Sequence, residues 1–244
     1  PYLTRPPQQF RTLDSRYNQL VYHLAPAGLR ALERHGQILP ARSALSGPWL
    51  HAFMTSCSTA SIELATLERP DLTYIPQSQI LARAKAELRF PATITDPDTK
   101  QEMTKNLIPD AIFGLEYHTD QGSRFRFFAV EADRATEPAT SGTWNRKSFL
   151  RSLLQYDAYV TGGGYRQHLG LTAPFMVLTV SAHPSRTARM VDLTATRYSD
   201  GNAFMLFQTW EDFGPVFRPP QPMPMLLTEA WRRGGLPPFR IGVP

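Results

Sequence analysis

Asp110, Glu131 and Asp133 are the residues of this chain whose types and spacing could do chemistry together. Pro109-Asp110 opens an apolar run over residues 111–117, Asp120-Gln121-Gly122 marks a turn, and a second run over 125–133 closes on Glu131-Ala132-Asp133. Side chains alternate along a strand, so Glu131 and Asp133, two apart, share a face. With Asp110 at the end of the neighbouring strand, three carboxylates can converge on one divalent ion. Magnesium or manganese takes oxygen ligands of this kind, and metal-activated water cleaves phosphate esters. The competing reading is that these acids only form turns and cap strands. Spacing leaves both open.

Phosphodiester hydrolysis also needs positive charge near the leaving oxygen. Lys147 is expected in the first turn of a helix over 145–160, from where its side chain can swing back over the carboxylates. A solvated helix lysine is the alternative. Arg134 and Arg151 are further cations close by in sequence. His51, near the start of a helix over 49–67, can face the same place, and Glu63 on that helix is an additional acid. The six histidines include no pair four apart on a helix, which argues against a zinc hydrolase. The single cysteine, Cys57, excludes an intramolecular disulfide and any Cys-based zinc site. Gly162-Gly163-Gly164 lacks the lysine of a phosphate loop, and no GxGxxG or serine elbow occurs. Tyr156 reads as a core residue, because a relaxase-type tyrosine would need clustered histidines.

Behind these residues stand the elements that must position them. Residues 10–13 and 20–24 suggest a hairpin turning at Asp14-Ser15, followed by a helix from Pro26 that ends at Gly36, with Pro and Gly in their usual places. Arg5, Arg11 and Arg16 lie near this hairpin, as in the wing of a winged helix-turn-helix. The recognition helix would then precede Pro1, and the chain would be a fragment. A plain hairpin-helix packing unit fits equally. Residues 37–48 read as a linker. Helices are expected over 49–67, 77–85, 145–160 and 185–196, and strands over 88–94, 111–117, 125–133, 175–180 and 203–209. The proline-rich stretch 215–238 is expected to be mostly irregular, serving as a surface wrap or an interaction scaffold. Strands and helices mixed in this order predict an α/β sandwich.

The chain of 244 residues can bury a sizeable core, and its net charge of +5 with a pI near 9.5 suits a polyanionic partner. Of its 26 basic residues only Lys85, Lys100, Lys105 and Lys147 are lysines, a bias that genomic base composition alone would also produce. No apolar run is long enough to span a membrane and no leader is evident, so a cytoplasmic protein with no membrane partner is expected.

Pro109-Asp110, the run Glu131-Ala132-Asp133-Arg134-Ala135-Thr136-Glu137, Lys147, Tyr156 and the strand over 175–180 together resemble the replication-relaxation family. Those are bacterial proteins linked to plasmids and integrated mobile elements. The resemblance extends from the hairpin to Trp231-Arg232-Arg233. It implies an α/β fold: a PD-(D/E)XK nuclease-like mixed central sheet flanked by helices over residues 47–244, with a proline-rich C-terminal extension. A partial winged helix, hairpin plus helix, would precede it over residues 1–40. It further implies a DNA partner, possible homo-oligomers or replication and mobilisation partners, and a magnesium- or manganese-dependent endonuclease. Asp110, Glu131 and Asp133 would be metal ligands, Lys147 a catalytic cation, and Arg11, Arg16, Arg134 and Arg151 DNA contacts. One departure is plain. Asp133 stands where active members of that superfamily carry lysine, so either Lys147 substitutes or the domain is an inactive DNA- or protein-binding module.

Overall fold

The computed structural model describes residues 1–6, 21–36, 49–96, 99–134, 138–140, 147–211, 213 and 220–244. Five strands make the central sheet: β3 (Leu72–Pro76), β6 (Ala111–Thr119), β7 (Gly122–Asp133), β8 (Phe175–Ser181) and β9 (Met205–Thr209), in the order β3-β6-β7-β8-β9. The first three run antiparallel and β7, β8 and β9 run parallel, so the sheet is mixed. The expected α/β class with helices on both faces is what the chain adopts. β8 is buried along its whole length, as a central strand covered on both sides must be.

One face packs on α2 (Trp49–Leu67), whose Met54 and Ile62 meet Phe113, Leu115, Phe128 and Val130. This helix is rich in Ser and Thr, and their hydroxyls donate back to carbonyls three or four residues earlier, as Ser58 does to Met54 at 2.9 Å. That satisfies polar groups which burial would otherwise penalise. The other face carries α3 (Gln77–Ala84), α4 (Phe149–Val160), α5 (Gly164–Leu169) and α6 (Pro184–Arg197), packed on Ile112, Phe127, Ala129 and Val177. A hairpin of β4 (Phe90–Thr95) and β5 (Glu102–Leu107) joins this side through Ala92 and Leu107. Gly163, at φ 72°, turns the chain from α4 directly into α5.

At the N-terminus β1 (Leu3–Thr4) pairs with β2 (His23–Leu24), and α1 (Pro26–Arg34) follows, so the helix after Pro26 forms as expected. The predicted strand over 10–13, its turn at Asp14-Ser15 and the linker over 37–48 lie outside the described residues. The tail is more ordered than its prolines suggest. α7 (Met225–Thr228), β10 (Ala230–Trp231) and β11 (Phe239–Arg240) bury Leu226, Leu227, Trp231 and Ile241 against the α2 face. Among the described residues no helix is long and apolar enough to cross a membrane.

Candidate active site at the carboxyl ends of β7 and β8

β7 and β8 run in the same direction, and both end beside the N-terminus of α6. The crevice outside the carboxyl ends of parallel strands is where open α/β sheets bind ligands. Here it is a cleft of about 60 Å³, room for a few waters or one hydrated ion. His51, Glu131, Asp133, Lys147, Tyr156 and Arg186 line it, and Arg134 sits at its edge.

The strand register brings two of the predicted acids together. Ala111 pairs with Val130, so Asp110, one residue earlier, continues that register opposite Glu131. Directly opposed residues share a face, with Cβ atoms about 4.5–5.5 Å apart. Asp110 is held firmly: its Oδ2 accepts from the Ala132 backbone N–H at 2.9 Å, and its Oδ1 lies 2.8 Å from His51 Nε2. Since a carboxylate only accepts, His51 donates through Nε2, and its Nδ1 carries the lone pair in the neutral ring. His51 lines the cleft, and Asp110 orients it from the entry to β6.

Glu131 accepts a hydrogen bond from the hydroxyl of Tyr156, which lies on α4 and is almost fully buried. Burial first, then the negative charges of Glu131 and Asp110, push the Tyr156 phenol well above its ordinary range. It stays protonated and so serves as a donor. Tyr156 is thus a core residue, as its helical spacing indicated, that also fixes an acidic side chain.

The third acid departs from expectation. Asp133 shares the Glu131 face, as alternation requires, but its Oδ2 accepts from Arg186 Nε at 2.7 Å. Among the described residues no three His, Cys, Asp or Glu side chains are grouped to hold a metal ion. The three-carboxylate convergence is therefore corrected to an Asp110–Glu131 neighbour pair with an Asp133–Arg186 ion pair beside it. A guanidinium beside Asp133 outcompetes convergence, because a close opposite charge stabilises the carboxylate where it is. Lys147 is corrected too. It precedes α4 rather than opening it, since Ser148 is the N-cap and accepts from the Arg151 backbone N–H. Lys147 lines the cleft from this entering loop. Arg151 is not among the residues lining it, Glu63 is an exposed residue of α2, and Arg11 and Arg16 lie outside the described residues. Cys57 is half-buried, and burial pushes its thiol up to about 11, which disfavours the thiolate.

Arg186 is the site residue that sequence reasoning missed. It lies 53 residues from Asp133, and the one available signal was a Pro-opened helix with an arginine in its first turn directly after a buried strand. A residue pair oxygen-rich but only two acids strong suits magnesium or manganese, ions that use one or two carboxylates and complete their shell with water and phosphate oxygens.

The family model described as Replication-relaxation matches residues 1–173, more than half of the chain. The chain belongs to the replication-relaxation family. That membership suggests a role in plasmid or mobile-element replication or relaxation. The matched residues of this replication-relaxation protein include Asp110, Glu131, Asp133, Lys147 and Tyr156, while Arg186 and the strands β8 and β9 lie beyond them. No curated protein and no solved structure matches the chain.

Proposed function

We propose that this replication-relaxation protein acts on DNA of a plasmid or mobile element and cuts phosphodiester bonds at the β7–β8 cleft with magnesium or manganese. The observation that carries the reading is Asp110, at the entry to β6, accepting from the Ala132 N–H next to Glu131 on β7, beside a cleft lined by Glu131, Arg186, Lys147 and Arg134. Acids to hold a cation and basic groups to receive phosphate meet within one small space. The net charge of +5 supports an anionic partner.

Asp110 and Glu131 would hold the ion, which supplies a Lewis acid and an activated water. Tyr156 keeps Glu131 aimed by donating to it. His51, oriented by Asp110, offers Nδ1 to take a proton from water at the cleft, the arrangement of a base fixed by a second group. Lys147 and Arg134 attract the strand. The unit of β1, β2 and α1 would add DNA contacts as a partial winged helix, together with Arg11 and Arg16, which fall between β1 and β2 in sequence.

Incubation with supercoiled plasmid plus magnesium or manganese tests this. Wild type should nick, and Asp110→Asn or Glu131→Gln should lower the rate roughly 100-fold or more, since metal-assisted stabilisation amounts to several kcal/mol. An alternative, a binding module without cleavage, draws support from Asp133 standing in place of a lysine. It is distinguished by DNA binding that weakens with salt while no nicking occurs.

A further inference from the structure

Arg186 is an unusual arginine. It is 9% exposed, yet it borders two clefts: the acid-lined one described above, and a wider opening of about 480 Å³ bounded by Pro138, Thr140, His183, Ser185 and Arg189. It lines both. Its Nε donates to Asp133 Oδ2 at 2.7 Å. A guanidinium carries five N–H donors, so the two Nη groups keep four that are committed to no described residue. Carboxylate on one edge and open donors on the other is a geometry suited to gripping a second anion, because guanidinium binds phosphate oxygens in bidentate fashion.

We propose that Arg186 grips a phosphodiester of the DNA strand as it passes from the wider opening into the acid-lined cleft, and that Asp133 is its positioning residue rather than a metal ligand. This rests on the reading of the protein as DNA-processing. The neighbours of the wider opening fit the same role: Arg189 and His183 add positive or donor character, and no acidic side chain borders it among the described residues. Asp133 then acts through Arg186. It fixes the fork against the end of β7 so that the Nη groups, not Nε, meet the strand.

The pair makes an opposite-to-intuition forecast. Removing a carboxylate near bound DNA ordinarily strengthens binding by relieving repulsion. If Asp133 positions Arg186, Asp133→Asn weakens it instead. Affinity of the full chain for duplex and single-stranded oligonucleotides is measured by fluorescence anisotropy over a range of salt, with EDTA present so that no metal contributes. Arg186→Gln should lower affinity about tenfold and reduce the slope of log K against log salt by about one. Arg186→Lys, which keeps the charge but loses the fork, should retain the salt slope while losing part of the affinity. Asp133→Asn should weaken binding several-fold, and its manganese affinity, titrated without DNA, should match wild type. Thermal melts identify any variant that fails to fold, and Arg186→Lys then carries the test. Stronger DNA binding by Asp133→Asn, or loss of manganese binding in it, overturns the proposal. So does wild-type affinity and slope in Arg186→Gln. Wild type that binds no DNA at all would instead sink the DNA-processing reading, and with it the ligand assigned to Arg186.

Discussion

Tyr156 and Glu131 hold each other in place at the residue scale. The phenol is buried and needs a partner for its O–H, and the carboxylate needs a donor where solvent is scarce. Tyr156→Phe should therefore lower stability by about 1.5–3 kcal/mol, the range for a hydrogen bond to a charged group, while leaving the fold intact. Chemical denaturation read by tryptophan fluorescence checks this, and an unchanged midpoint would mean that water replaces the hydroxyl at no cost. The placement of these acids at neighbouring strand ends was legible in the sequence, because strand ends and alternation follow local rules. Asp110 next to the end of β7 needed only the turn at Asp120-Gln121-Gly122 to set the β6–β7 register. The fate of Asp133 was not legible, since its partner Arg186 arrives from α6 after two helices and a strand. Nothing in Glu131-Ala132-Asp133 says which acid will be claimed by a distant guanidinium.

At the scale of elements, α5 offers a pH-dependent contact. His168 Nε2 lies 2.8 Å from the Glu87 carbonyl and its Nδ1 lies 2.9 Å from the Tyr159 hydroxyl. The carbonyl can only accept, so Nε2 carries the hydrogen and Nδ1 accepts from Tyr159. Burial holds the imidazole below its ordinary pKa, with the carbonyl opposing that in part. A folded-state value below the unfolded one means stability that is complete above about pH 6.5 and lost as pH falls through the folded value. Melting temperature should thus drop on acidification, and His168→Gln should flatten that slope. A slope unchanged in the variant would place its origin elsewhere. Long or continuous apolar stretches were readable: α2 spans the residues expected of it, and β8 announced itself as a buried run. β3, β5 and α5 were not. β3 is a five-residue edge strand ending in Pro76, β5 is polar and mostly exposed, and α5 is a single short turn-and-a-half that opens on the last of three glycines. Each owes its existence to a neighbour rather than to its own pattern.

At the scale of the whole molecule, the proline-rich tail closes the sheet face opposite the site-bearing helices. Trp231 is fully buried and its Nε1 donates to the Leu226 carbonyl at 2.9 Å, while the Ile241 carbonyl accepts from Tyr117 at 2.6 Å. Arg126 and Arg69 donate to the Val243 and Gly242 carbonyls. The described part of the stretch is mostly irregular, as expected, and it wraps the domain surface: its prolines space two short elements around a buried indole. Trp231→Ala should cost about 3–5 kcal/mol, as large aromatic truncations in cores do. A loss below 1 kcal/mol would show the tail to be a loose appendage.

The site therefore depends on β6 and β7 delivering two acids side by side, with the third diverted to an arginine. Crystals soaked in manganese chloride and measured at the manganese absorption edge test that division of labour most directly. An anomalous peak within bonding distance of the Asp110 and Glu131 carboxylates, with Asp133 still on Arg186, is the expected result. A peak centred on Asp133, or no peak beside Asp110 and Glu131 at saturating manganese, would contradict it.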